Sequence, residues 1–103
     1  MLILLTGAAG FVGQNLVPFL RDRQIDVITL DKLPLISDNH FQYKLGSFSG
    51  ELVSLLNSHP FDAVIHLASE SHVDRSIAGP REFIDNNING TLELFEACKI
   101  HNH

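Results

Sequence analysis

Residues 6–13 read TGAAGFVG, three evenly spaced glycines lying directly after an apolar run and before a helical pattern. Gly7 allows a tight turn with positive φ. Gly10 lets the backbone approach a bound anion with no Cβ in the way, and Gly13 permits close packing of helix on sheet. The helix that starts here presents free N–H groups and a partial positive charge at its N-terminus. On its own a glycine triplet is a weak signal. Its context strengthens it: residues 1–6 suit a strand buried on both faces, and residues 11–22 carry Val12, Leu16, Phe19 and Leu20 at helical spacing. Pro18 removes one hydrogen bond inside that helix and predicts a kink.

A second strand is expected over residues 25–31, and it ends in Asp31. A carboxylate at that position accepts hydrogen bonds from ribose hydroxyls and repels a 2′-phosphate, so the pair of features predicts NAD in preference to NADP. Lys32 beside it softens the preference. The alternative is a plain βαβ turn with a solvated aspartate.

Beyond Asp31 the chain alternates again. A loop over 33–39 leads to a third strand over 41–45, a helix over 51–58 and a fourth strand over 62–67. Pro80 suits a first helical position, and Ile84, Ile88, Leu92 and Phe95 mark one face of a helix reaching about residue 99. Strands alternating with helices imply an α/β fold with a mostly parallel sheet and right-handed crossovers. The 103 residues make one domain, or part of one. A formal charge of −5 with no Lys/Arg stripe argues against nucleic acid as a partner. The single cysteine, Cys98, gives no disulfide framework and suggests a reducing compartment. The apolar start is too short for a signal or membrane segment, so a soluble, cytoplasmic chain with no membrane partner is expected.

The fourth strand runs into HLASESHVDRSI, residues 66–77, where small and polar side chains crowd together without the Gly, Pro or Asn of an ordinary turn. In an open α/β sheet, ligands bind outside the carboxyl ends of the strands, so this stretch should border the same cleft as Gly7 and Asp31. Together TGAAGFVG, Asp31-Lys32-Leu33, HLASESHVDRSI and FIDNNINGT resemble the N-terminal half of the extended short-chain dehydrogenases. Within this NAD-dependent epimerase/dehydratase family they stand closest to the dTDP-glucose 4,6-dehydratases. The resemblance covers essentially the whole chain.

It implies a partial Rossmann fold, a four-stranded sheet in the order 3-2-1-4, and NAD as cofactor. It further implies that Phe11 and Val12 lie over the pyrophosphate and that Asp31 and Lys32 meet the adenosine ribose. Leu67, Ala68, Ser69, Glu70 and Ser71 would line the cofactor, with Ser71 also facing substrate. His72 and Asp74 either touch substrate or, with Arg75, brace the loop. Asn87 and Gly90 match the family's N-x-x-G-T motif, in which Gly90 serves packing. The chain departs from the family in three places. Ser69 replaces an alanine, and Asn86 replaces a cofactor-contacting threonine. Gly46 or Ser47 stands where an adenine-contacting aspartate is usual, since no aspartate occurs between Asp38 and Asp62.

The family's Tyr-x-x-x-Lys pair has no counterpart here: Tyr43 is the only tyrosine, and Ser47 stands four residues after it. No catalytic residue is therefore assigned, and the chain reads as the cofactor-binding portion of a longer nucleotide-sugar dehydratase or epimerase, inactive alone. A non-catalytic module binding a dinucleotide or a protein is the alternative. A phospho-acceptor receiver domain fits poorly, because the acidic pair expected after the first strand is absent. His101 and His103 lack a placed third ligand, so no metal is expected. In the implied strand order residues 62–67 form an edge, which predicts a homodimer through that strand.

Overall fold

The computed structural model describes residues 1–35, 39–68 and 88–100. Its elements are β1 (Leu2–Thr6), α1 (Phe11–Asp22), β2 (Asp26–Asp31), β3 (His40–Gln42), α2 (Glu51–Ser58), β4 (Ala63–His66) and α3 (Gly90–Ile100). The four strands form one sheet in the order β3-β2-β1-β4, with every pairing parallel. This is the doubly wound α/β topology expected from the alternation of elements.

β1 sits at the centre, and its continuous apolar run follows from being covered on both sides. Successive side chains of a strand point to opposite faces. Leu5 therefore joins Val27, Val17, Leu20 and Ala8 beneath α1, whereas Leu4 joins Leu30, Leu52, Leu56 and Leu94 beneath α2 and α3. Each fully buried leucine contributes about 1.5–3 kcal/mol. Both halves of the core thus hang on one five-residue strand.

Several boundaries differ from expectation for identifiable reasons. β2 begins at Asp26 because Gln24 and Ile25 close α1 instead. Gln24 takes φ 63°, its N–H donates to the Arg21 carbonyl, and the Ile25 N–H donates to that of Leu20. That is a Schellman ending, and Ile25 packs against the core cluster that holds Leu20. β3 stops at Gln42 because its partner β2 ends at Asp31, the residue opposite it.

The helices also present different faces from those expected. On α1 the buried positions are Gly13, Val17 and Leu20, while Val12 and Phe19 are exposed. The helix continues through Pro18 as one element. On α3, Glu93, Leu94 and Ala97 are buried, and the expected stripe of Ile88, Leu92 and Phe95 faces water. Ile84 and Pro80 lie outside the described residues.

Candidate functional site

The glycine turn is built by close backbone approach. Gly7 has φ +75°, and a Cβ on it would stand 2.5 Å from the Leu67 carbonyl carbon and 2.6 Å from the Ala68 nitrogen. A Cβ on Gly13 would meet the Gly7 oxygen at 2.5 Å and the Ala8 Cα at 2.7 Å. Gly13 thus brings the first turn of α1 onto the glycine turn itself. At Gly10 a Cβ would lie 3.3 Å from the Gly7 oxygen, a tight contact but a milder one than at Gly7 or Gly13. Gly10 is also the N-cap of α1, with no side chain capping it and no acidic residue in the first turn. Among the described residues no side chain caps the N-terminal N–H groups of the helix itself. Phe11 and Val12, next in sequence, are exposed.

Asp31 reaches this turn. Its Oδ2 accepts the Ala9 N–H and its Oδ1 the Leu33 N–H, both at 2.9 Å. The sequence pattern predicts a ribose contact for Asp31, but the brace to Ala9 is not visible in it. Lys32 is exposed, and its carbonyl accepts a hydrogen bond from Gln42 Nε2.

At the other side of the turn, Leu67 and Ala68 donate their N–H groups to Thr6 Oγ1 at 3.0 and 3.2 Å. With both lone pairs engaged, the Thr6 hydroxyl gives its own hydrogen to His66 Nδ1, 2.6 Å away. The neutral His66 ring then carries its proton on Nε2 and donates to Thr91 Oγ1 at 2.9 Å. Thr6, His66 and Thr91 tie β1, β4 and α3 together at the carboxyl edge of the sheet, and no local pattern announces them.

Burial lowers the His66 pKa from its ordinary 6.5. A protonated ring would also turn an N–H against Thr6, whose lone pairs are taken. The unfolded chain therefore binds this proton more readily than the folded one. Stability should be constant above about pH 6.5 and fall as pH drops from there to the folded-state value, with no further loss from this group below it. Urea unfolding between pH 7.5 and 5 checks this: His66→Gln should flatten the fall, and an equal slope in the variant would refute the assignment.

The segment after β3 holds Ser47, which is exposed, and Gly46, with φ +95°. A Cβ on Gly46 would lie 3.3 Å from the Gly90 nitrogen, so glycine at this position is favoured by backbone geometry and by the approach of α3. A Cβ on Gly90 would meet Leu45 Cβ at 3.1 Å, in keeping with the packing role expected for it. Tyr43 is buried and its hydroxyl hydrogen-bonds to Glu93. Cys98 is half-buried, and burial pushes its thiol pKa up, which leaves it poorly nucleophilic.

Ser69, Glu70, Ser71, His72, Asp74, Arg75, Asn86 and Asn87 lie outside the described residues, as do His101 and His103. Among the described residues no helix is long and apolar enough to cross a membrane.

The model of the family described as NAD dependent epimerase/dehydratase matches residues 3–103. The chain is 39% identical to dTDP-glucose 4,6-dehydratase from Salmonella typhimurium over 112 residues, covering 96% of this chain and 31% of that protein. Among solved structures it is similar to UDP-glucose 4-epimerase from Thermus thermophilus in complex with NAD, with a TM-score of 0.86 and 28% identity over 99% of this chain and 35% of that one. It is also similar to UDP-glucose 4-epimerase from Thermotoga maritima with UDP-glucose, with a TM-score of 0.84 and 28% identity over 95% of this chain and 34% of that one. The chain thus spans about a third of the length of the proteins it resembles.

Proposed function

Because the chain belongs to the NAD dependent epimerase/dehydratase family, we propose that residues 1–103 form the dinucleotide-binding portion of a nucleotide-sugar 4,6-dehydratase or epimerase. One observation carries the reading: the uncapped N-terminus of α1 lies directly behind the Gly7 turn, with Asp31 bonded to that same turn. The residues fit NAD. Gly7 and Gly13 keep side chains out of the cradle, the N–H groups at Phe11 and Val12 suit a pyrophosphate, and Asp31 suits a ribose. Leu67 and Ala68, pinned to Thr6, set the other wall, and the reading extends it through Ser69, Glu70 and Ser71. Lys32, Ser47 and Asn86 complete the proposed cofactor contacts, with Ser71, His72 and Asp74 toward the sugar.

When bound, NAD supplies a hydride acceptor. What these residues contribute is binding and orientation, because no general base stands among the assigned positions. The 103 residues alone are therefore expected to turn over no nucleotide sugar, in a reducing cytoplasmic setting. Titration by calorimetry or ligand-observed NMR should show weak NAD binding, tighter than that of NADP. The absence of binding at saturating NAD would sink the reading.

We further infer that β4 pairs with a second copy. β4 ends the sheet order, and its central residues Val64 and Ile65 are β-branched, uncharged and only half-buried. Sedimentation over a concentration series should reveal a monomer–dimer equilibrium, and a monomer throughout counts against it.

A further inference from the structure

The strand order gives the proposed cleft a direction. With a pyrophosphate at the turn after β1 and a ribose at Asp31 on β2, the attached base falls next over the segment that follows β3. That segment is held from beneath by one carboxylate. Glu93 comes from α3 and is buried, with 6% of its surface exposed. It accepts the Tyr43 hydroxyl hydrogen at Oε2, and its Oε1 accepts the Gly46 N–H at 2.6 Å. Ser49 in turn donates its Oγ–H and its N–H to the Tyr43 oxygen at 3.3 and 3.4 Å. Residues 43 and 46 are thus fixed to Glu93 directly and residue 49 through the Tyr43 hydroxyl, and the left-handed conformations of Gly46, Phe48 and Gly50 bend the chain between and beyond them.

Stability alone does not account for this arrangement. Burying a carboxylate costs solvation, and an apolar side chain of similar volume is often as stable or more so. What the carboxylate does provide is directional hold on a stretch of backbone that, at Gly46, has no side chain to pack. We propose that Glu93 is a positioning residue for the base end of the dinucleotide cleft, fixing residues 43–49 so that their backbone receives the adenine. This rests on the dinucleotide reading above.

The test uses the whole chain, with AMP probing the base end and nicotinamide mononucleotide probing the other. Glu93→Gln keeps an amide oxygen for Gly46 and should bind AMP nearly as the parent does. Glu93→Val leaves the Tyr43 hydroxyl and the Gly46 N–H without an acceptor and should weaken AMP about tenfold, with nicotinamide mononucleotide unchanged. Unchanged AMP affinity in Glu93→Val overturns the proposal, and so does an equal loss for both ligands, which would mark a general effect on folding. If Glu93→Val does not fold, Tyr43→Phe decides: it removes one anchor and should weaken AMP alone by about threefold, and parent-like AMP binding refutes the role. A parent chain that binds neither AMP nor NAD refutes the dinucleotide reading and this inference with it. Failure of the variants alone refutes only the inference.

Discussion

Gly7→Ala is expected to destabilise the chain by about 2–5 kcal/mol, from left-handed backbone strain of about 1–2 kcal/mol and overpacking of about 1–3 kcal/mol. The added Cβ meets the Leu67 and Ala68 backbone at 2.5–2.7 Å, atoms that belong to a neighbouring strand end and cannot swing aside. A domain of this size has a total stability on the order of 5–15 kcal/mol, so the variant should lose much of it. Two controls separate the causes. Gly50 has φ +89° and nothing within 4 Å, so Gly50→Ala should show only the strain. Gly10 has an ordinary φ of −76° and a Cβ there would lie 3.3 Å from the Gly7 oxygen, so Gly10→Ala should show a small packing cost without the strain. Urea midpoints followed by circular dichroism measure all three. A Gly7→Ala midpoint equal to that of the parent would show that β4 and the turn are not packed as described.

Asp31→Ala should weaken NAD about 10–100-fold. A hydrogen bond to a charged group contributes about 1.5–3 kcal/mol, and an ionised carboxylate has roughly four acceptor positions. The Ala9 and Leu33 N–H groups occupy two of these, which leaves acceptor capacity for a ribose while the glycine turn stays braced. Alanine removes both functions together. Asp31→Asn keeps an acceptor oxygen but drops the charge, so it should bind NAD better than alanine does and lose most discrimination against NADP. Competition titrations with the two cofactors measure this. An Asp31→Ala chain with parent affinity would remove the aspartate from the site.

The residues that made the fold legible are those whose message is local. Residues 2–6 are apolar at every position but the last because the central strand is covered on both faces, and Gly7, Gly10 and Gly13 mark a turn whose geometry favours glycine. Helix faces were harder to read. On α1 and α3 the apolar residues outnumber the buried positions, so spacing gave the right period with the wrong phase, pointing to Phe19 and Phe95 where Val17 and Leu94 are buried. The deeper parts of the site have no local signature. Thr6 and His66 are 60 positions apart, and Tyr43 and Glu93 are 50, so nothing around either partner announces the other. The absent aspartate near residue 46 was legible as a departure, but what favours glycine there was not, because it depends on where α3 passes.

The water-facing aromatics have a practical consequence for anyone handling this chain. Phe11, Val12, Asn15, Leu16 and Phe19 line a shallow hollow on α1, with the Arg23 guanidinium 3.5 Å from the Phe19 ring centre, and α3 presents Leu92 and Phe95, with Ile88 just before it, on the opposite side of the sheet. Such surfaces take up the fluorescent dyes used to score loosened packing. A dye-based screen would therefore report the native chain as partly molten, and quality control during purification has to rest on near-ultraviolet dichroism or amide dispersion instead.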